Sequence, residues 1–261
     1  SALASITTGQ QNVAIGTSVG SNITSTLNTV LIGHNAGLAI NSADANGTVA
    51  IGSLAAQALT SAADNIAIGY AALLNHTTGG YNIAIGKNTM YDTDSGSTSL
   101  GSQHNIFIGL SAGGGTWADA ASNYNVGIGN YSMDAALNGA LNNTALGHYT
   151  LSSLTEGDSN VAIGYNAGGS LTTGGTNILI GRNAGSSGTD LAYSVIIGTY
   201  AGDAINTNNS QGSVIIGYQA GTSQTAGINT FIGYEAGKNN RSGTYNTTVG
   251  YEVGQYMNGS S

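Results

Sequence analysis

The chain of 261 residues contains no cysteine and no proline. Without cysteine it forms no disulfide bond and carries no thiol chemistry, although this absence does not identify the compartment in which the protein works. Without proline every internal residue keeps its backbone N–H group, so ladders of backbone hydrogen bonds can run on without interruption. The absence of proline therefore favours a fold with long hydrogen-bond ladders.

Fixed charge is also scarce, because charged residues make up only 6% of the chain and the formal net charge is −8. The four basic residues, Lys87, Arg182, Lys238 and Arg241, are too few to build a phosphate-binding stripe. Nucleic acid is therefore not an expected partner. No apolar run approaches the roughly 18 residues of a membrane span, so we expect no membrane insertion.

Glycine, by contrast, is abundant, and many of the 42 glycines recur at regular intervals. An apolar phrase that ends in Ile-Gly or a close variant returns fourteen times, with 16 to 23 residues between successive glycines and a mean of 18. These repeat glycines are Gly16, Gly33, Gly52, Gly69, Gly86, Gly109, Gly129, Gly147, Gly164, Gly181, Gly198, Gly217, Gly233 and Gly250. A short period of this kind is typical of stacked structural units.

The residues before each repeat glycine predict a strand. The residue directly before it is Ile in twelve units, and the residue three before it is always Val, Ile or Thr. Positions two apart share one face of a strand, and β-branched residues favour pleated structure. We predict an all-β fold, a parallel β-solenoid (β-roll) of about 14 short coils with about 18 residues each. Residues 1–11 would lead into one continuous solenoid domain over 12–261, with longer inserted loops at 87–105 and 110–125.

The middle position of each predicted strand is apolar as well. We expect the Val/Ile and Ile columns on either side of it to fill the narrow interior of the coil. A strand that is apolar on both faces is normally covered on both, so the middle residues would then pack against another chain. The six largest of them, expected to form a subunit interface, are Leu31, Phe107, Leu179, Ile196, Ile215 and Phe231.

Asparagine occupies the position four before the repeat glycine in ten units. Asn can bond to its own backbone at a turn, and stacked Asn side chains can bond to the coils above and below. We therefore predict a structural turn ladder. Its members are Asn12, Asn65, Asn82, Asn105, Asn125, Asn143, Asn160, Asn177, Asn229 and Asn246.

No catalytic residue or cofactor is expected. Hexapeptide acyltransferases also stack coils of this length, but they should show three Ile-Gly phrases per coil where this chain shows one. His34 and His148 directly follow repeat glycines, yet Tyr70 and Tyr165 share that column, which indicates a solvated outer row. The acidic residues mostly fall singly in connecting segments, as Asp190 does, and this favours solvated turns over the paired carboxylates of glycoside hydrolases.

No metal site is expected either. His76 and His104 are isolated in the sequence and lack the spacing of metal ligands. The segment from Asp92 through Asp94 to Gly96 resembles the opening of a calcium loop, but the distal Glu of such a loop is absent. A polar turn is the favoured interpretation, and calcium binding by Asp92 and Asp94 stays open.

The two insertions hold the only tryptophan of the chain, and insertions usually form surface loops. An exposed aromatic ring beside polar groups is a plausible platform for a sugar. In the alternative interpretation, Trp117 covers a patch of core or of a subunit interface. The residues predicted to contact a receptor are Trp117, Tyr91, Asp119, Tyr124 and His104.

The units QNVAIG, NTVLIG, DNIAIG and SNVAIG resemble the NxxAIG repeats of the YadA-like head of bacterial trimeric autotransporter adhesins. TTGGYNIAIG (77–86), TTGGTNILIG (172–181) and NTFIGYEAG (229–237) are similar to the TTGxxNTAIGYxAG repeats of phage tail fibres. Because the units here are longer on average than those of the adhesin heads, the phage fibre is the closer likeness.

This resemblance implies a homotrimer, with the six middle residues as its interface. It also implies an extracellular setting, either a virion tail fibre or a bacterial cell surface. The chain would be a non-enzymatic structural segment whose partners are its own copies and a host cell-surface glycan or protein. In the alternative, it is an adhesin head that binds host or cell surfaces.

Overall fold

The computed structural model describes residues 1–93, 101–205, 211–225 and 227–257. The chain divides into two compact units, Ser1–Ala140 and Leu141–Ser261. In each unit, short strands lie parallel and in register along a stack of coils, as in the alignment of Val13 with Val30 and Ile178 with Val195. The predicted fold class, an all-β parallel β-solenoid, is confirmed.

Every strand has three residues and ends directly before a repeat glycine. The strands of the first unit are β1 (Val13–Ile15), β2 (Val30–Ile32), β3 (Val49–Ile51), β4 (Ile66–Ile68), β5 (Ile83–Ile85), β6 (Ile106–Ile108) and β7 (Val126–Ile128). Those of the second are β8 (Thr144–Leu146), β9 (Val161–Ile163), β10 (Ile178–Ile180), β11 (Val195–Ile197), β12 (Val214–Ile216), β13 (Thr230–Ile232) and β14 (Thr247–Val249). A short 3-10 helix, Ala43–Ala45, lies between β2 and β3.

Backbone hydrogen bonds join neighbouring coils at the turns as well as at the strands. Beyond β2, Gly37 donates its N–H to the carbonyl oxygen of Ala55 at 2.9 Å, and Ala39 donates to Gln57 at 3.0 Å. Such turns tolerate proline poorly, since each proline would remove one of these donors. The lack of proline thus has a structural counterpart around the circumference of the coil.

The residues before the first strand belong to the same stack. The N–H of Leu3 donates to the carbonyl of Val19 at 3.0 Å, and that of Thr7 donates to the carbonyl of Thr24 at 2.9 Å. Residues 1–11, which we expected to lead into the solenoid, therefore form an incomplete coil that lacks the strand. The predicted boundary between the lead-in and the solenoid, at residue 12, therefore falls inside a repeating unit. One continuous domain over 12–261 stays a prediction.

Contact between coils explains why the repeat glycine recurs. Its φ lies between 128° and 143° in all fourteen units, a region that residues with a side chain rarely adopt. A Cβ atom added to Gly16 would lie 2.7 Å from the carbonyl oxygen of Gly33, its counterpart in the next coil. Only glycine allows the corner after the strand to stack this closely.

The interior is lined by the middle residue of each strand, so our assignment of the strand faces was wrong. The six residues expected to meet other chains are fully buried within the chain itself. They are Leu31, Phe107, Leu179, Ile196, Ile215 and Phe231, each with 0% exposure. The Val/Ile and Ile columns on either side of them, which we expected to lie inside, point outward instead.

The physical reason is that the space between the strand and the opposite wall of the coil is narrow. A Cβ atom added to Gly37 would lie 3.0 Å from Leu31 Cδ2 and 2.9 Å from Ile40 Cδ1, so the opposite wall lies against the strand. A space this narrow accommodates one column from each strand, not two. The alternating pattern could not reveal which column, because both strand faces are apolar.

Candidate functional surfaces

An apolar band runs across the strands on the outside of each unit. We call it the outer strand face and define it by the positions one and three before each repeat glycine. In the first unit it comprises Val13, Ile15, Val30, Ile32, Val49, Ile51, Ile66, Ile68, Ile83, Ile85, Ile106, Ile108, Val126 and Ile128. In the second it comprises Thr144, Leu146, Val161, Ile163, Ile178, Ile180, Val195, Ile197, Val214, Ile216, Thr230, Ile232, Thr247 and Val249.

The side chains of the outer strand face are exposed, most of them partly. Ile68 and Ile197, for example, are partly exposed, whereas Ile178 is 39% and Leu146 45% exposed. With parallel strands about 4.8 Å apart, seven strands give a band about 30 Å long in each unit. Contiguous apolar surface is unusual on an isolated soluble chain and marks interaction sites.

The asparagine column forms a hydrogen-bond ladder inside the turn. The backbone N–H and side-chain amide of Asn82 donate to Asn65 Oδ1 at 3.0 and 3.2 Å, and Asn105 repeats both bonds to Asn82 Oδ1 at 3.0 and 3.1 Å. The amide of Asn65 also donates to the carbonyl of Gly79 in the next coil at 2.9 Å. All three side chains are fully buried, so these bonds satisfy polar groups that would otherwise be costly to bury.

Two of the residues considered as possible metal ligands, His76 and Asp92, have defined structural surroundings. His76 is buried, with Nδ1 2.7 Å from Thr93 Oγ1 and Nε2 2.6 Å from the carbonyl of Gly79. Asp92 forms an isolated parallel bridge with Thr116. Asp94 lies outside the described residues, so calcium binding at this segment stays an open question. Elsewhere in the described ranges, no three His, Asp or Glu side chains are placed to hold a metal ion.

Trp117 is a core residue and not an exposed sugar platform. Its side chain has 0% exposure, its indole N–H donates to the carbonyl of Gly113 at 3.0 Å, and its ring meets Phe107 edge-on at 5.9 Å. The insertion lengthens the coil, and Trp117 fills interior space that Ile or Leu occupies in shorter coils such as that of Ile40. The alternative interpretation, that Trp117 covers core, is the one the structure shows.

Two of the remaining receptor candidates come together in a stack of rings. His104 lies between Tyr81 and Tyr124, with ring centroids 4.9 and 5.2 Å apart and interplanar angles of 3° and 8°. All three residues occupy the position five before a repeat glycine and are exposed. Tyr91 and Asp119 are also exposed, but they belong to other positions of the repeat. The sequence signal for the stack was the recurrence of aromatic residues at one position, which we missed for Tyr81.

The position directly after the repeat glycine forms a second outer row, as predicted. Both His34 and His148 are exposed there, and Tyr218, Tyr234 and Tyr251 stack in sequence with centroids 5.2 and 5.0 Å apart. The pKa of the Tyr234 hydroxyl is raised, first by partial desolvation and then by the nearby carboxylate of Glu235.

No family model matches the chain, and neither a curated protein nor a solved structure was found to be similar to it. Function must therefore be argued from the surfaces themselves. Among the residues that the structure describes, no helix has the length and apolar character needed to cross a membrane.

Proposed function

We propose that this chain is a structural and receptor-binding segment of a homotrimeric extracellular fibre, of the kind found in phage tails. The outer strand face is the observation that carries the proposal. The middle residue of each strand, which lies between two residues of the outer strand face, is already covered by the chain's own coil. The exposed apolar band therefore needs a partner from outside the chain.

A second copy of the chain is the partner that best fits this band. Each band repeats with the period of the strands, so copies side by side could match it strand for strand. Burying a Val or Ile side chain fully contributes about 1.5–3 kcal/mol, and covering the part still exposed contributes a fraction of that at each position. Repeated over many strands, these fractions suffice for stable association. The subunit interface is thus proposed at the outer strand face and no longer at the six buried residues.

The number of copies and the biological setting rest on the sequence resemblance. Both the tail-fibre repeats and the adhesin heads that the units resemble are trimeric, so we propose three chains. The mechanism is mechanical and recognitional, because stacked backbone ladders provide stiffness and exposed side chains meet a host glycan or protein. We propose no catalytic activity, and coenzyme A should not bind.

The alternative function is an adhesin head on a bacterial surface. The same trimeric solenoid would serve it, so mass alone does not distinguish the two. Immunogold labelling of virions and of bacterial cells, with antibodies raised against this chain, should locate the protein. Label on virion tails supports the fibre, and label confined to bacterial envelopes supports the adhesin.

Sedimentation equilibrium tests the assembly. The wild type should show three times the chain mass of 25.9 kDa. Ile68→Glu, in the middle of the outer strand face, should give monomers, because a trimer would bring three carboxylates into an apolar interface. Tyr70→Glu is the matched control, since Tyr70 lies in the same coil and is 51% exposed on the other outer row. A folded wild-type monomer, or equal masses for both variants, would overturn the interface.

A further inference from the structure

The second unit has a surface cleft of about 660 Å³ that no strand contributes to. This volume falls within the roughly 300–1,000 Å³ of small-ligand sites. Its described lining residues include Glu156, Asp158, Gly174, Gly175, Asp190 and Tyr193. We propose that this cleft binds an oligosaccharide of neutral or amino sugars, which makes it the receptor site of the proposed fibre and rests on that function.

The cleft arises from a change of side-chain size between neighbouring coils. Gly174 and Gly175 leave the middle coil without side chains at two successive positions. At the position of Gly175, the coil before carries Asp158 and the coil after carries Ala192, whereas Gly174 corresponds to Gly157 and Leu191. Asp190 and Tyr193 flank Leu191 and Ala192 in the coil after. The backbones of both neighbouring coils pack against this glycine pair, since an added Cβ atom would clash with the carbonyl oxygen of Leu191 at Gly174 and would lie 2.8 Å from that of Asp158 at Gly175. The cleft is thus a stretch of bare backbone with acidic and aromatic side chains around it.

The charge of the cleft selects the class of sugar. Three carboxylates line it, and none of its described lining residues is basic. A sialylated or phosphorylated glycan would be repelled, whereas hydroxyl and amino groups donate hydrogen bonds to carboxylates. Since no three carboxylates among the described residues are placed to share an ion, a polyhydroxylated ligand fits better than a metal.

Tyr193 supplies the aromatic surface that sugar rings pack against. It is 68% exposed and occupies the same position of the repeat as the stacked Tyr81 and Tyr124. In the next coil this position is Gly212, where an added Cβ atom would meet none of the described residues within 4 Å. The next coil therefore offers no ring at this position to stack on Tyr193, whereas the rings of the first unit cover one another.

The first unit provides an internal comparison. It contains the same Thr-Thr-Gly-Gly segment at 77–80, but the coils on either side place Ala63 and Gln103 where Asp158 and Ala192 stand in the second unit. No carboxylate stands at the position of Glu156 or Asp190 there. The glycine pair alone is therefore common to both units, and the acidic walls are specific to the second.

A glycan array probed with the full chain tests the cleft, with chitotriose, chitosan oligosaccharides and sialylated glycans as the informative probes. Wild type should retain chitotriose or chitosan oligosaccharides and not the sialylated set. Tyr193→Ala and Asp190→Asn should each weaken binding at least tenfold. Tyr245→Ala is the matched control, because Tyr245 has the same repeat position and 80% exposure outside the cleft. It should bind like wild type.

The possible outcomes distinguish a failure of the proposed glycan site from a failure of the proposed trimeric fibre. Binding only to sialylated glycans, equal binding by all variants, or no glycan binding by a protein of trimeric mass would overturn the cleft and leave the fibre standing. A monomeric wild type that still binds through Tyr193 and Asp190 would support the cleft and overturn the trimer. Circular dichroism of each variant shows whether its fold is intact. Asp158→Asn is an independent variant of the cleft and should still bind, but at a reduced level. Together these controls distinguish loss of the site from loss of the fold.

Discussion

The two faces of each strand are both largely apolar but have opposite roles. Phe107 of β6 is fully buried, while Ile106 and Ile108 on either side of it are partly exposed. Apolar character alone therefore does not define the interior of this solenoid. What distinguishes the inner face is the fit of its side chains to the opposite wall, and what distinguishes the outer face is the uniform Val and Ile of a repeated surface.

Size complementarity across the interior makes this difference visible. Each of the six large middle residues has a glycine four positions after its repeat glycine, as Leu31 has Gly37. Where that position is large, the middle residue is small, as in the pairing of Ala67 with Leu73. A Cβ atom added to Gly237 would lie 2.6 Å from the ring of Phe231. The outer columns show no such exchange of sizes.

The largest expected effect comes from emptying the inner face. Phe107→Ala should lower the free energy of unfolding by about 3–5 kcal/mol, because it removes a fully buried ring and leaves a cavity beside Trp117. Ile108→Ala, its neighbour on the outer strand face, is the control. Urea denaturation of both variants, under conditions that keep the chain monomeric, should show the difference. Equal losses would contradict the assignment of the faces.

A swap of sizes tests the packing rule at a smaller magnitude. Ala67→Leu should cost about 1–3 kcal/mol, because Leu73 already occupies the opposite wall. Adding Leu73→Gly should recover much of this loss, since the pair then matches Leu31 and Gly37. Glycine also suits the backbone there, because Leu73 has a φ of 52°. A double-mutant cycle measures the coupling, and additive losses would count against complementarity.

Much of the fold was predictable because each coil repeats the same chemistry. The period located all fourteen strands, and the asparagine and glycine columns marked the turn and the corner. The inner face was not predictable from alternation, since both faces are apolar, but the pairing of large middle residues with Gly37 or Gly113 carried the missing signal. This signal becomes visible only when two positions of the repeat are compared across all coils, and not when residues are considered one at a time.

The candidate sites were harder to predict because they depend on how coils of different length align. Trp117 was expected on a loop surface, but the longer coil has more interior to fill and buries it against Phe107. Glu156, Thr173 and Asp190 are spaced by 17 residues, so their alignment along one column could be seen in the sequence. We interpreted Asp190 as a lone acid in a turn because its neighbours in adjacent coils were not considered together.

The smallest expected effect on stability concerns the outer strand face alone. Ile163→Thr should change the free energy of unfolding of the monomer by no more than about 0.5 kcal/mol, the usual range for surface substitutions. Thr144 and Thr230 already occupy this face in other coils. If the face joins subunits, the same substitution should still raise the dissociation constant of the trimer severalfold, because a hydroxyl replaces the apolar ethyl group of Ile163 in all three chains. Denaturation and sedimentation of one variant thus separate the two roles, and a large loss of monomer stability would place Ile163 in the core instead.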